Sequence, residues 1–434
     1  MKIAVNTWAA LDEGEKNALL MRPAVSQDAG IRATVASIVA RVREDGDLAL
    51  RELTREYDGA TVTDTLVTSD EIAAAESRLE RGQIAAIDLA IGNVGRFHER
   101  QRQEPIVVET MPGVVCERVS HALDAVGLYV PAGTAPLPSA AIMLAVPARI
   151  AGCQTRILCT PPRPDGTADP AVLVAATRAG VERIHKIGGA QAIAAMAYGT
   201  ESVPRVCKIF GPGNAWVTSA KALVSSDPEG AAIDMPAGPS EVLVIADDSA
   251  SADYVASDLL SQAEHGADSQ VMLVTTSQAI ADAVNAAVEQ QLSKLPRAEI
   301  AGAALQHSRV LMVPDIETAI DVSNRYAPEH LILQISEPRS ALPSIRNAGS
   351  VFVGPWTPES VGDYCSGTNH VLPTYGHART YSGLGLDQFM RQMTIQEVSR
   401  DGLVGIGDAV VSLARLEGLE AHANAVTLRL EDSS

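Results

Sequence analysis

From about residue 123 onward the chain repeats one unit. A short apolar run, a glycine or proline turn and about ten to fifteen residues at helical spacing follow one another, and this alternation leaves few folds open. DAVGLYVP, TRILCTP, ERIHKIGG and VCKIFGPG have strand character, whereas SAAIMLAVPARIAG, DPAVLVAATRAG, AQAIAAMAYG and NAWVTSAKALVSS have helical character. A second series follows the PAGPS loop: EVLVIAD, a helix through His265, QVMLVTT, QAIADAVNAAVEQQLSKL, RVLMVP, IETAIDVSNRYA, HLILQI and VFVGP. Strands alternating with helices imply a parallel sheet covered on both faces. The expected fold is therefore α/β, with two doubly wound, Rossmann-like parallel-sheet domains. A site is expected in the crevice between them, at the carboxyl ends of the strands.

The flanks differ in texture. The first region alternates charge with Ala and Leu at helical spacing, as in TVASIVARVREDGDLALRELTREYDG, where Gly59 is placed to stop a helix. The tail after about residue 366 is rich in Gly, Pro, Thr and Tyr and turns helical again near VVSLARLEGLEAHANA. The chain of 434 residues exceeds one ordinary domain. The expected division is a mostly helical N-terminal region (1–120), a first Rossmann-like α/β domain (121–235), a second (236–365) and an extended, partly helical C-terminal tail (366–434). A tail without a core of its own is expected to pack on a second subunit.

Charge narrows the partners. Asp and Glu number 53 against 34 Lys and Arg, a formal net charge of −19, so the long-range field repels phosphate backbones and anionic lipid surfaces. Neither nucleic acid nor membrane is expected as a partner. The longest apolar run, AAIMLAV, is far short of the ~20 residues that span a bilayer. The opening stretch meets Asp12 and Glu13 before a signal-type apolar region develops, so a cytoplasmic location is expected. Five cysteines without a CxxC pair suggest reduced thiols.

Four short stretches place titratable groups beside backbone-breaking residues. In SDLLSQAEHGADSQ, Gln262 and His265 lie three apart near a helix end, about 60° apart on one face. They offer one grip on one ligand, although a Gln and a His so placed more often satisfy terminal carbonyls. In NRYAPEHLILQ, Pro328 ends a helix and Glu329 and His330 fall at a helix-to-strand junction, where a carboxylate and an imidazole can divide proton transfer and water activation between them. The segment GPWTPESVGDYCSGTNHVLPTYG, 354–376, reads as a long loop with little regular structure, bearing Asp363, Asn369 and His370. Asp363 is placed either as a hard oxygen ligand or as a turn residue bonding its own backbone. EGLEAHANA carries Glu417 and His422. Gln262, His265, Asp363 and His422 together offer mixed N and O donors suited to zinc, but at scattered spacing without the compactness of HExxH.

No GxGxxG fingerprint follows a strand. Three glycine turns open helices instead, in PAGTAPLPS, GGAQAIAA and FGPGNA. Helix N-termini of this kind can face pyrophosphate through free N–H groups, and they are also an ordinary way to turn in α/β proteins.

Long motifs in fixed order carry a family resemblance: LLMRPA, GLYVPAGTAPLPS, GGAQAIAA, KIFGPGNAWV, AAIDMPAGPSEVLVIAD, DLLSQAEHGADSQV, YAPEHLILQ, PESVGDYCSGTNHVLPTYGHART and EAHANAVTLR. By these motifs, which cover almost the whole sequence, the chain closely resembles the histidinol dehydrogenase family. The resemblance implies four-electron oxidation of L-histidinol to L-histidine through L-histidinal, with NAD as oxidant and zinc as metal. It implies zinc held by Gln262, His265 and Asp363, with His422 supplied by the other subunit of a homodimer. It makes Glu329 and His330 the catalytic pair, with His330 kept neutral. Ser240, Gln262, His265, His330, Asp363, His370, Glu417 and His422 are implied at the substrate, and Tyr129, Gln191 and Asn214 at NAD. Relatives of this fold oxidise other small alcohols, including a sulfonated diol, and a zinc hydrolase could use Glu329 as base. Glu417 with His370 and His422 favours a cationic substrate over a sulfonate, because a carboxylate attracts an ammonium.

Overall fold

Punctuation in the sequence becomes helix ends in the structure, a computed structural model that describes residues 2–23, 29–132, 135–235 and 238–432. The helix Pro138–Ala151 starts with proline in its first turn and stops at Gly152, whose φ of 91° suits only glycine well. Pro170–Ala179 is capped by the Asp169 carboxylate, which accepts from the Ala171 N–H, and stops at Gly180 with φ 100°. In the N-terminal region the helix Ala29–Leu53 bends at Gly46 and runs through a wider turn, Thr54–Asp58, to Gly59 in the left-handed conformation. The expected stop at Gly59 is present; the bend at Gly46 was not foreseen.

Two parallel sheets organise the chain. The first runs, edge to edge, Arg183–Lys186, Thr155–Thr160, Ala125–Tyr129, Lys208–Phe210 and Ala232–Ile233. The second runs Ala4–Thr7, Arg309–Met312, Gln270–Thr275, Glu241–Ala246, His330–Gln334 and Ser350–Val353. Apart from the N-terminal strand added at one edge, both sheets have the same strand order, 3-2-1-4-5 in chain order, which is the doubly wound α/β pattern. Helices cover both sheets on either side and bury the central strands, such as Glu241–Ala246 and Gln270–Thr275, along their whole length, whereas the edge strand Ala4–Thr7 stays largely exposed. Residues 29–53 pack on the first sheet, whereas Trp8 and Leu20 pack on the second.

A third sheet is antiparallel: Ile106–Met111, Val114–Ala122 and Met390–Val398. It has no counterpart in the sequence expectations. Ile106–Met111 is exposed along its whole length, so it lacks the in-and-out alternation that marks a half-buried strand. The strand Met390–Val398 ties the tail to the first half of the chain and leads into a helical pair, Arg400–Leu416 and Glu420–Glu431. Among the described residues no helix is long and apolar enough to cross a membrane, and all five cysteines are free.

Candidate active site

The helix Ala252–Ala263 follows the strand Glu241–Ala246 and packs back along the second sheet. A connection of this kind runs antiparallel to the strands, so its last turn returns to the sheet's amino edge. Gln262 and His265 arrive there, beside His330, the first residue of its strand. The metal and catalytic candidates therefore gather at the amino edge of the second sheet, where the carboxyl edge was expected. The residues expected at NAD lie at the carboxyl edge of the first sheet. Tyr129 closes its strand there, Gln191 stands in the first turn of the helix Gly189–Tyr198, and Asn214 caps Ala215–Ser226.

Asp363 also departs from expectation. It belongs to a short helix, Glu359–Tyr364, entered from Pro358. Six residues are too few for a periodic signal, which is why the segment reads as a loop. The helix brings in a residue that the sequence did not single out, Glu359, four positions before Asp363 and on the same face. His265, Glu359 and Asp363 each offer one ligand atom, and these atoms lie within 4.8 Å of one another. Glu359 is buried and accepts from the Ser261 hydroxyl at 2.5 Å. The only sequence signal for it was an acidic residue one helical turn from another.

Gln262 is 1% exposed, and its Oε1 has no hydrogen-bond partner among the described residues. A buried acceptor left unpaired is costly, so this oxygen, on a residue three positions before His265, is explained if a cation completes it. Mixed imidazole, carboxylate and amide donors fit a divalent ion such as zinc. His370 supports the arrangement from behind, its Nδ1 lying 2.9 Å from the Asp363 main-chain oxygen. Ser240 sits just before the strand Glu241–Ala246. Glu417 ends the helix Arg400–Leu416 and His422 lies on Glu420–Glu431; both are exposed and neither joins the cluster within one chain.

Glu329 and His330 are both nearly fully buried. The Glu241 N–H donates to Glu329 Oε2 at 2.9 Å, and the Glu241 carbonyl lies 2.9 Å from His330 Nδ1. A carbonyl only accepts, so Nδ1 carries the proton there, and Nε2 faces the site without a hydrogen-bond partner among the described residues. Asp363 Oδ1 stands 3.7 Å from that Nε2, a charge contact longer than a hydrogen bond. Burial pushes Glu329 up to about 8. Burial works against a charged His330, but Glu329, Asp363 and Glu359 around it outweigh that and push it up to about 10. Burial pushes Glu359 up to about 8 as well. It also acts to raise Asp363, yet His330 and Glu359 more than offset it and hold that carboxyl well below the usual range. From the protein groups alone the imidazole is thus drawn toward its charged form, contrary to the expected neutral His330; a cation among the acids would relieve that pull.

At the first sheet the Tyr129 hydroxyl accepts from the Gly189 N–H at 3.0 Å, and Gln191 Nε2 reaches Asp58 Oδ2 at 3.4 Å. Asn214 spends its Oδ1 on the Trp216 and Val217 N–H groups. Of the glycine turns, GGAQ and FGPGNA are fully described; Gly133 and Thr134 of PAGTAPLPS lie outside the described residues, as do Ala24 of LLMRPA and Pro236 and Ala237 of PAGPS.

Comparison with known proteins agrees with these motifs. The family model described as histidinol dehydrogenase matches residues 21–430. A histidinol dehydrogenase of Vibrio vulnificus (strain YJ016) is 54% identical over 424 residues, 98% of this chain and 97% of that protein. One of Xanthomonas oryzae pv. oryzae is 55% identical over 423 residues, 98% of each. The crystal structure of histidinol dehydrogenase from Elizabethkingia anophelis superposes with a TM-score of 0.96 at 45% identity, covering 99% of this chain and 98% of that one.

Proposed function

This chain belongs to the histidinol dehydrogenase family and is an oxidoreductase, and on that premise we propose that it oxidises L-histidinol to L-histidine through L-histidinal, with two NAD and one water consumed per turnover. The observation that carries this reading is the meeting of a metal-type donor cluster, His265, Glu359 and Asp363, with the buried Glu329–His330 pair, together with the unpaired Gln262 Oε1 three residues before His265.

Gln262, His265 and Asp363 would hold zinc, with His422 of the partner subunit as the fourth protein ligand. When bound, zinc supplies a Lewis-acidic anchor for substrate nitrogen and NAD supplies the hydride acceptor. His330 does the first proton transfer: its Nε2 is turned inward by the Nδ1 contact to Glu241 and takes the proton of the alcohol hydroxyl. Glu329 takes a proton from the water that adds to the aldehyde. Ser240, His370 and the partner subunit's Glu417 complete the substrate pocket in this reading. Tyr129, Gln191 and Asn214 face NAD from the carboxyl edge of the first sheet, so residues 121–235 form the NAD side and 236–365 the metal side.

A homodimer in the cytoplasm completes the proposal. The helical pair of the tail exposes Leu413, Leu416 and Leu428, and the antiparallel sheet exposes Val107, Val108 and Met393. Apolar side chains gathered on one end of the chain mark a surface for a second copy. The test is direct: purified protein, L-histidinol and NAD at mildly alkaline pH, with NADH absorbance recorded before and after a chelator. Two NADH per histidinol, lost on chelation and regained with zinc, is the expected result. No NADH from histidinol sinks the proposal and moves attention to a zinc hydrolase or another alcohol.

A further inference from the structure

We propose that Arg22 and Glu241 are a positioning pair for the catalytic residues, acting on Glu329 and His330 through the main chain of Glu241. The inference rests on Glu329 and His330 being the catalytic pair. The one peptide strand residue Glu241 touches both of them: its N–H holds the Glu329 carboxylate and its carbonyl holds the His330 ring. Whatever fixes Glu241 therefore fixes the orientation of two reacting groups at once.

Its side chain is fixed by a charge brought from far away in sequence. Glu241 is 1% exposed, and Arg22 meets it with two parallel bonds, Nε to Oε1 at 2.5 Å and Nη2 to Oε2 at 2.9 Å. This bidentate fork resists rotation in a way a point charge does not. Arg22 also stacks 3.9 Å from the centre of the Tyr326 ring and donates to the main-chain oxygens of Tyr326 at 2.8 Å and Ala327 at 3.3 Å. On the other side, the Tyr375 N–H donates to Glu241 Oε1 at 2.7 Å.

Ala327 and Tyr375 are the two non-glycine residues with positive φ among the described residues, at 54° and 57°. Both are clamped by this pair, one by Arg22 and one by Glu241. Such conformations persist only where the surroundings hold them. Ala327 stands two residues before Glu329, so its relaxation would swing the catalytic junction directly. An arginine that merely closed the end of the helix Ile316–Tyr326 would need neither the buried carboxylate nor the second strained residue.

Removing the guanidinium leaves the Glu241 carboxylate buried without its cation, and that carboxylate must turn or take a proton. Gln262, His265 and Asp363 sit on other elements and keep their places. The expected signature is a fall in kcat with KM nearly unchanged. Arg22 also lines a cavity of about 700 Å³, together with Trp8, Met21, Arg325, Arg346 and Arg379, so a small cation can enter where its side chain is missing.

The experiment compares Arg22→Ala, Arg22→Lys and Glu241→Gln with the wild-type holoenzyme on L-histidinol and NAD, with thermal unfolding followed in parallel. A misplaced catalytic group costs on the order of 10²-fold, so Arg22→Ala and Glu241→Gln should lose about that much kcat while KM moves less than about threefold. Millimolar guanidinium chloride, against sodium chloride, should restore part of the rate in Arg22→Ala and none in Glu241→Gln. Arg22→Lys should fall between, and it decides the matter if Arg22→Ala does not fold. Wild-type kcat in Arg22→Lys and Glu241→Gln, or a folded Arg22→Ala whose loss guanidinium does not touch, overturns the pair. A wild-type protein inert toward histidinol would instead count against the proposed function.

Discussion

His330 Nδ1 lies 2.9 Å from the main-chain oxygen of Glu241, a residue 89 positions earlier. The contact commits one ring nitrogen to the scaffold and leaves the other to the chemistry. His330→Gln keeps a polar group of similar reach without a basic nitrogen. We expect kcat for alcohol oxidation to fall about 10²- to 10⁴-fold while zinc content stays at the wild-type level. A variant within threefold of wild type would remove His330 from the proton-transfer role.

Glu329 and His330 move in the same direction, to about 8 and about 10, and both must be unprotonated to act as bases. A raised value means that protons leave later as pH climbs, so the active forms accumulate on the alkaline side. Turnover should therefore rise toward alkaline pH, with the charge of bound zinc moving the rise below the pH at which these groups lose their protons in the metal-free protein. Glu329→Gln can still accept the Glu241 N–H but cannot take a proton from water. With L-histidinal as substrate, stopped-flow measurement should show the rise with pH flattened in this variant; an unaltered profile rejects Glu329 as the base of the aldehyde step.

Glu359 stands within ligand distance of His265 and Asp363 and holds the Ser261 hydroxyl next to Gln262. Groups that orient metal ligands typically govern affinity about 10- to 100-fold. Glu359→Gln should weaken zinc by that factor in competition with a chromogenic chelator. Equal affinity in the two proteins would show that this carboxylate does no work for the metal.

His422 and Glu417 are exposed and outside the cluster of their own chain. If the partner subunit supplies them, His422→Ala and His265→Ala chains, each inactive alone, should regain activity on being mixed and reassembled. Sites in a mixed dimer carry either both lesions or none, so about half of the sites of each mixed dimer become competent under a shared-site arrangement. Mixtures that stay inactive despite verified subunit exchange rule that arrangement out.

Local regularity made the α/β layers legible from the sequence. Helical and strand spacing, the cap at Asp169 and the stops at Gly59, Gly152 and Gly180 are short-range features, decided by sterics and hydrogen bonds within a turn or two. Gln262, His265, Glu329, His330 and Asp363 were visible because long motifs surround them. Glu359 was not, because a six-residue helix has no period to read. Nor was the antiparallel sheet, one strand of which is exposed throughout.

Short-range patterns along the chain fixed the alternation of strands and helices, the places where helices stop, and the residue types able to do the chemistry. Long-range packing alone brought the candidate residues His265, His330 and Asp363 together at the amino edge of the second sheet. It also set Arg22 against Glu241, 219 residues away, and made the main chain of Glu241 hold both the Glu329 and the His330 side chains. The reason is physical: a crossover helix carries its last turn back past the whole length of a strand, and a peptide N–H or carbonyl is the same in every residue until packing aims it.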